Sequence, residues 1–277
     1  MVACGVLPHL RLRTCPICDL DNRSQPVHSY SEPPWELKRC AGCGLVYLEN
    51  APEYRKLETE LAWEKTQAEE EARRQRRAPI LYYIGHALQS IPKDLFGRDK
   101  LMSWVRRYVA PGRVLDVGCA NGLALLKLPD QYVPCGIEVS RELASVAHAR
   151  FSARGGEAIQ GDAISILPRL AADSFSGVLM VSYLEHELDP RTALQYVARV
   201  MRSGARAIVK VPNFASWNRI VRGRRWRGVR FPDHVNYFTP ALLERLLRAR
   251  GLRVLRFGTF DRFPTSGSMW LVAEKAG

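Results

Sequence analysis

Cys15-Pro16-Ile17-Cys18 and Cys40-Ala41-Gly42-Cys43 are two C-x2-C pairs separated by 21 residues. Each pair can hold one side of a tetrahedral ion, and the small residues around the second pair permit the tight turn this requires. The spacing predicts Zn2+ on Cys15, Cys18, Cys40 and Cys43. Four thiolates fill the coordination shell and leave no position for a reactive water, so the metal is expected to be structural. Disulfides are the alternative, and the lack of an export signal disfavours them.

A second constellation is acidic. The run Val114-Leu115-Asp116-Val117-Gly118-Cys119-Ala120-Asn121-Gly122 reads as a buried strand ending near Asp116, then a glycine-rich turn opening a helix. Glycine lets backbone approach a ligand where a side chain would obstruct it. The next strand ends in Glu138 and Val139, at the roughly 20-residue distance where a carboxylate can accept from both ribose hydroxyls. A third leads into Gly161-Asp162-Ala163, where Asp162 could accept from an exocyclic adenine amine. Carboxylates closing three successive strands outline one nucleoside-shaped pocket.

The groups suited to proton transfer come later. A fourth strand runs into Ser182-Tyr183-Leu184-Glu185-His186, followed by Asp189-Pro190. His186 is the first candidate general base, because its unperturbed pKa lies near neutrality. His234, in Pro232-Asp233-His234-Val235-Asn236-Tyr237-Phe238, is the second. Residues 212–239 have little regular pattern, and so long an irregular segment is usually functional. It is read as a substrate-facing lid.

At these residues the chain resembles the Rossmann-like, class I S-adenosylmethionine-dependent methyltransferases. Asp116, Gly118 and Gly122 match the family's first motif, with Ala120 where many members have glycine. Glu138 matches the ribose-binding acid and Asp162 the adenine-side acid. The resemblance implies that Gly118, Cys119, Ala120, Gly122, Val139, Ala163 and Ser182 also line the S-adenosyl-L-methionine site. The Leu-Glu-His and Asp-Pro pattern is similar to ubiquinone-type O-methyltransferases and related small-molecule enzymes, and the cysteine module to zinc ribbons attached to several branches. A nicotinamide enzyme would more usually show G-x-G-x-x-G.

These residues require elements to position them. Strand-like runs cover 113–117, 133–139, 156–159, 177–182, 205–211, 252–260 and 268–275. Helical periodicity covers 122–128, 141–153, 191–201 and 240–250. Such alternation predicts a Rossmann-like, seven-stranded, mostly parallel sheet with helices on both faces, closed by a hairpin with one antiparallel strand. The expected organisation is a zinc module over 1–50, a helical linker over 51–95 and a methyltransferase domain over 96–277. Within the linker, seven acids and seven bases in 53–78 predict a charged helix ending before Pro79.

The chain has 277 residues, is 47% hydrophobic and carries a formal charge of +13. No apolar run approaches the ~20 residues of a membrane span, and the N-terminus lacks the order of a secretory signal. A cytoplasmic location is the expectation. Nine bases and no acid lie between Arg202 and Arg230, a patch suited to an anionic acceptor or to RNA. Three functions follow: O-methylation of a small-molecule or glycan acceptor, the preferred reading; methylation of ribosomal RNA, using the zinc module and the arginines; and a non-catalytic binding module.

Overall fold

The computed structural model describes residues 10–52 and 99–276; the charged helix expected over 53–78 lies outside them. Near the N-terminus, β1 (Leu10–Leu12) pairs with β4 (Asn50–Pro52). Between them, β2 (Leu37–Arg39) pairs antiparallel with β3 (Val46–Leu48). The first cysteine pair lies in a turn ahead of this hairpin, and the second in the turn that joins its two strands. Cys15 and Cys40 are buried, and Gly44, with φ of +79°, returns the chain from the second pair into β3.

Downstream, α1 (Lys100–Tyr108) leads into β5 (Gly112–Val117). Four βα units follow: α2 (Leu123–Leu126), β6 (Tyr132–Glu138), α3 (Arg141–Ser152), β7 (Glu157–Gln160), α4 (Ala163–Ile166), β8 (Phe175–Val181), α5 (Pro190–Val200) and β9 (Met201–Pro212). The chain then passes through α6 (Trp217–Arg222), β10 (Asn236–Tyr237), α7 (Pro240–Arg248), β11 (Leu252–Phe257), α8 (Thr259–Arg262) and β12 (Ser268–Lys275). The central sheet has the order β11-β12-β9-β8-β5-β6-β7. Strands β5 to β9 are parallel, while β12 runs antiparallel between β11 and β9. The expected seven-stranded, mostly parallel architecture is present.

Local chemistry explains several boundaries. Thr239 caps α7 by accepting from the Leu242 amide, Pro240 occupies its first position, and Gly251 turns the chain beyond its end with φ of +73°. The final hairpin differs from expectation in one respect. The apolar run expected to continue as strand to Phe260 stops at Phe257, and α8 separates the last two strands.

The larger difference concerns 212–239. The segment contains α6 and β10, and β10 pairs antiparallel with β3, so it completes the cysteine module's three-stranded sheet. Phe214, Trp226, Val235 and Tyr237 share an apolar cluster with Leu37, Val46 and Leu48. The sequence pattern is irregular here because neither two-residue strand pairing nor contacts with so distant a segment leave a periodic trace.

Arg13 fastens the two parts. Its guanidinium donates to the carbonyls of Leu48 (3.1 Å), Val235 (3.4 Å) and Leu188 (2.7 Å), and to Asn236 Oδ1 (3.2 Å). Arg13→Ala leaves these acceptors without their donor and is expected to cost about 3 kcal/mol in unfolding free energy. Arg13→Lys should recover only part of it, because one ammonium cannot reproduce the guanidinium fork. Denaturant titration of both variants checks this.

Candidate functional site

The sheet register aligns the acids. Asp116 lies beside Gly136 and Leu179, and Glu138 beside Gln160. Asp116, Glu138 and Asp162 therefore stand at the carboxyl ends of β5, β6 and β7, where doubly wound sheets bind ligands. Glu138 is buried, with Oε2 accepting from the Ala120 amide (2.8 Å) and Oε1 from the Ser140 amide (2.9 Å). Each carboxylate oxygen has a second lone pair, so two amides fix the group while leaving acceptor capacity. Burial, aided by the charge of Glu138, raises Asp116 to about 7. Asp162 is exposed and caps α4 through the Ser165 amide (2.9 Å); Ala163, the first residue of α4, is buried beside it. Val139 follows Glu138, and its carbonyl accepts from Gln160 Nε2.

The turn between β5 and α2 is held by close contacts. Gly118 and Gly122 both have φ of +79°, and a Cβ at Gly122 would lie 2.7 Å from Phe151 of α3. Ala120 also has a positive φ, +48°. Methyl size is thus not the relevant cost of this departure from glycine; the left-handed backbone is, at roughly 1 kcal/mol. Cys119 is buried over Gly136, where an added Cβ would meet its Sγ at 2.4 Å. Gly136 was not singled out from sequence, although a lone glycine inside a strand is the usual sign of such an approach.

Beyond β8 the backbone turns sharply at Ser182, whose φ is +57° and whose Oγ accepts from Lys210 Nζ (3.1 Å). Tyr183 donates to Glu187 Oε2, and its ring lies 3.9 Å from where a Cβ on Gly118 would stand. The glycine turn and the segment after β8 are therefore neighbours in space.

The two candidate bases are brought together. The rings of His186 and His234 are edge-to-face, with centroids 4.7 Å apart. His186 Nδ1 faces the Asp233 carbonyl and His234 Nδ1 the Gly228 carbonyl, each at 2.9 Å. A carbonyl can only accept, so each Nδ1 carries a proton, and in the neutral ring the lone pair is on Nε2. Burial, reinforced by the Arg230 guanidinium, lowers His186 to about 4, and burial raises Glu185 to about 7. Ligand atoms of Glu185, His186 and His234 lie within 4.8 Å of one another. Gly228, missed from sequence, underlies this geometry: a Cβ there would sit 2.1 Å from the Trp226 ring.

The histidines meet because residues 184–187 are sewn to 235–236. The Glu185 carbonyl accepts from the amides of Val235 (2.8 Å) and Asn236 (3.1 Å). Asn236 Nδ2 donates to the carbonyls of Leu184 (3.0 Å) and Glu187 (2.6 Å).

The cysteine sulfurs form a compact group. Cys15 to Cys43 and Cys18 to Cys40 are each 3.4 Å, and all four lie within 4.8 Å of one another. A tetrahedral ion with bonds of ~2.3 Å places sulfurs about 3.8 Å apart, so this set can hold one. The six described cysteines are free thiols. Part of the arginine patch serves the fold: Arg219 stacks over Phe214 and donates to Tyr30 Oη, and Arg224 Nε donates to the Ser29 carbonyl. Arg222, Arg225 and Arg227 are exposed. No helix among the described residues is long and apolar enough to cross a membrane.

The raised pKa of Asp116 has a stability consequence. The folded chain holds this proton more tightly, so Asp116's contribution is full below about pH 4 and is lost as pH rises toward 7. Asp116→Asn should melt higher than the parent at pH 8 and match it more closely at pH 4–5. Melting curves across this range check the sign.

Comparison with known proteins agrees with this arrangement. An O-methyltransferase of Aspergillus sclerotiorum is 30% identical over 164 residues, covering 52% of this chain and 56% of that protein. A ubiquinone biosynthesis O-methyltransferase of Aeromonas salmonicida is 26% identical over 151 residues, covering 51% and 63%. The chain thus spans less than two thirds of these relatives' length. A solved S-adenosylmethionine-dependent methyltransferase of Methanosarcina mazei has a TM-score of 0.50 at 18% identity, over 62% of this chain and 96% of that one, a likeness in fold. A family model described as a methyltransferase domain matches residues 93–256, more than half of the chain. With its fold, this match means that the chain belongs to the methyltransferase-domain family, in the class I, S-adenosylmethionine-dependent form.

Proposed function

We propose that the chain transfers the methyl group of S-adenosylmethionine to an oxygen of a small molecule or glycan intermediate. The observation that carries this reading is the proximity of the glycine turn to the segment after β8: Tyr183 stands over Gly118 of the cofactor turn, and the imidazole cluster follows three residues later. The curated relatives named as O-methyltransferases support the acceptor atom.

In this reading Glu138 accepts from the ribose hydroxyls, with its oxygens already aimed by the Ala120 and Ser140 amides. Asp162 serves the adenine side. Asp116, Gly118, Cys119, Ala120, Gly122, Val139, Ala163 and Ser182 line the remainder. When bound, the cofactor supplies a sulfonium-activated methyl group, so the protein's tasks are alignment and removal of the acceptor's proton. His186 is neutral at physiological pH and offers Nε2 as the proton acceptor, with His234 second. The exposed arginines suit an anionic acceptor. The cysteine set holds one structural zinc, which keeps the wall made by β3 and β10 in place. The chemistry requires no membrane span, and the cytoplasm suits both thiolates and cofactor.

Three measurements test this. Glu138→Ala should weaken binding of S-adenosylhomocysteine by about 1.5–3 kcal/mol in calorimetry; unchanged affinity removes the assignment. Substituting the true base by Gln should lower turnover of an alkyl alcohol acceptor by about 10²–10⁴-fold with cofactor affinity intact. Full activity in both His186→Gln and His234→Gln would exclude the pair. One zinc should co-purify per chain on the cysteines and be lost from a Cys15→Ser, Cys40→Ser double variant. If RNA is the acceptor instead, binding should fall steeply with salt and methyl incorporation into RNA should be seen.

A further inference from the structure

We infer that Glu185, His186 and His234 form a second metal site, which takes a divalent cation through two imidazole nitrogens and one carboxylate oxygen. The inference concerns the acceptor end proposed above, and rests on that reading only for the cation's role.

Three observations converge on it. Glu185 is almost fully buried, and its Oε2 has no hydrogen-bond partner. A buried carboxylate oxygen left bare is costly, and a cation at that oxygen removes the cost. Both imidazoles have Nδ1 committed to a backbone carbonyl, which makes Nε2 the ring nitrogen that a cation would take. That is how metal-ligating histidines are normally held, the outer N–H fixed by a carbonyl that sets the tautomer and aims the ring. Finally, one ring nitrogen of each imidazole and one carboxylate oxygen of Glu185 lie within 4.8 Å of one another. Donors bound at about 2.1 Å stand roughly 3–3.5 Å apart, a contraction that a modest rotation of the rings supplies. Arg230, whose charge reaches both His186 and Glu185, pairs with Asp233 at 2.7 Å.

The donor set is two nitrogens and one oxygen. It suits zinc, cobalt or another borderline divalent ion, and leaves coordination open, unlike the four-thiolate set. An acceptor hydroxyl entering an open position would form a metal–oxygen bond and release its proton to water. The oxygen would then attack the methyl carbon as the carbon–sulfur bond breaks. With a cation present the imidazoles act as ligands, and the cation makes the hydroxyl acidic in place of direct proton transfer.

The probe is Co2+, titrated into the full-length chain after metal removal and followed by absorption spectroscopy and metal analysis. Two equivalents should bind per chain. One should show intense thiolate-to-metal charge transfer from the cysteines, and the other only the weak visible bands of nitrogen and oxygen ligation. His234→Gln should lose the second equivalent and keep the first. Glu185→Gln, which preserves shape, should do the same, and S-adenosylhomocysteine binding by either variant shows that the fold is intact. A single equivalent in the parent protein, or a second one retained in both variants, overturns the site and leaves the imidazole-base reading standing. Two equivalents in a chain that methylates no oxygen acceptor would instead overturn that reading and leave the metal site.

Discussion

The side-chain amide of Asn236 is the contact on which the histidine pair of this molecule depends. Its nitrogen donates to two carbonyls of the turn after β8, and its oxygen accepts from Arg13 of the cysteine module. Three segments far apart in sequence meet at one buried residue. An amide suits the place because it donates twice and accepts without carrying charge. Aspartate would set a carboxylate against carbonyl oxygens, and leucine would take a donor away from the carbonyls of Leu184 and Glu187. Once 184–187 is fixed to 235–236, His186 and His234 face each other because their backbones have no other course.

The positions of the acids proposed for the cofactor were legible in sequence because the information that places them is local. A strand, an acid, a glycine turn and a helix follow within a dozen residues, and hydrophobic runs mark each later strand. The acids at 116, 138 and 162 could therefore be placed along one sheet edge before any coordinates. The pairing of the two histidines was not legible. Each was recognisable as a base, but their approach depends on β10 joining β3, and two-residue strands carry no periodic signal. Gly136 and Gly228 had a weak signal, a glycine where no turn is needed, and its meaning emerged only with Cys119 and Trp226 above them. Ala120 was legible as a departure from glycine, whereas the backbone angle that decides its cost was not.

Buried charge is concentrated where ligands are expected. Asp116 and Glu138 sit together, and their mutual repulsion and burial raise Asp116. Glu185 is buried with one oxygen unmatched. Elsewhere Asn22 pairs with Tyr47 and the Leu20 carbonyl, Asn50 with Glu36 and Pro34, and Lys38 with the Gln25 carbonyl, whereas Glu49 Oε1 in the cysteine module is also buried without a hydrogen-bond partner.

The pairing of β10 with β3 also bears on how such a chain can diversify. A metal-stabilised appendage joined by a tether could be exchanged or dropped during evolution with little effect on the pocket. Here the appendage supplies a strand neighbour, an apolar backing and an arginine to the very segment that carries His234. Recombination that replaced residues 10–52 alone would break the sheet at β3, and replacement of 212–239 alone would break it at β10. The two stretches are bound to be inherited together, so that selection for a new acceptor would leave its marks in the cysteine module as well as in the pocket wall.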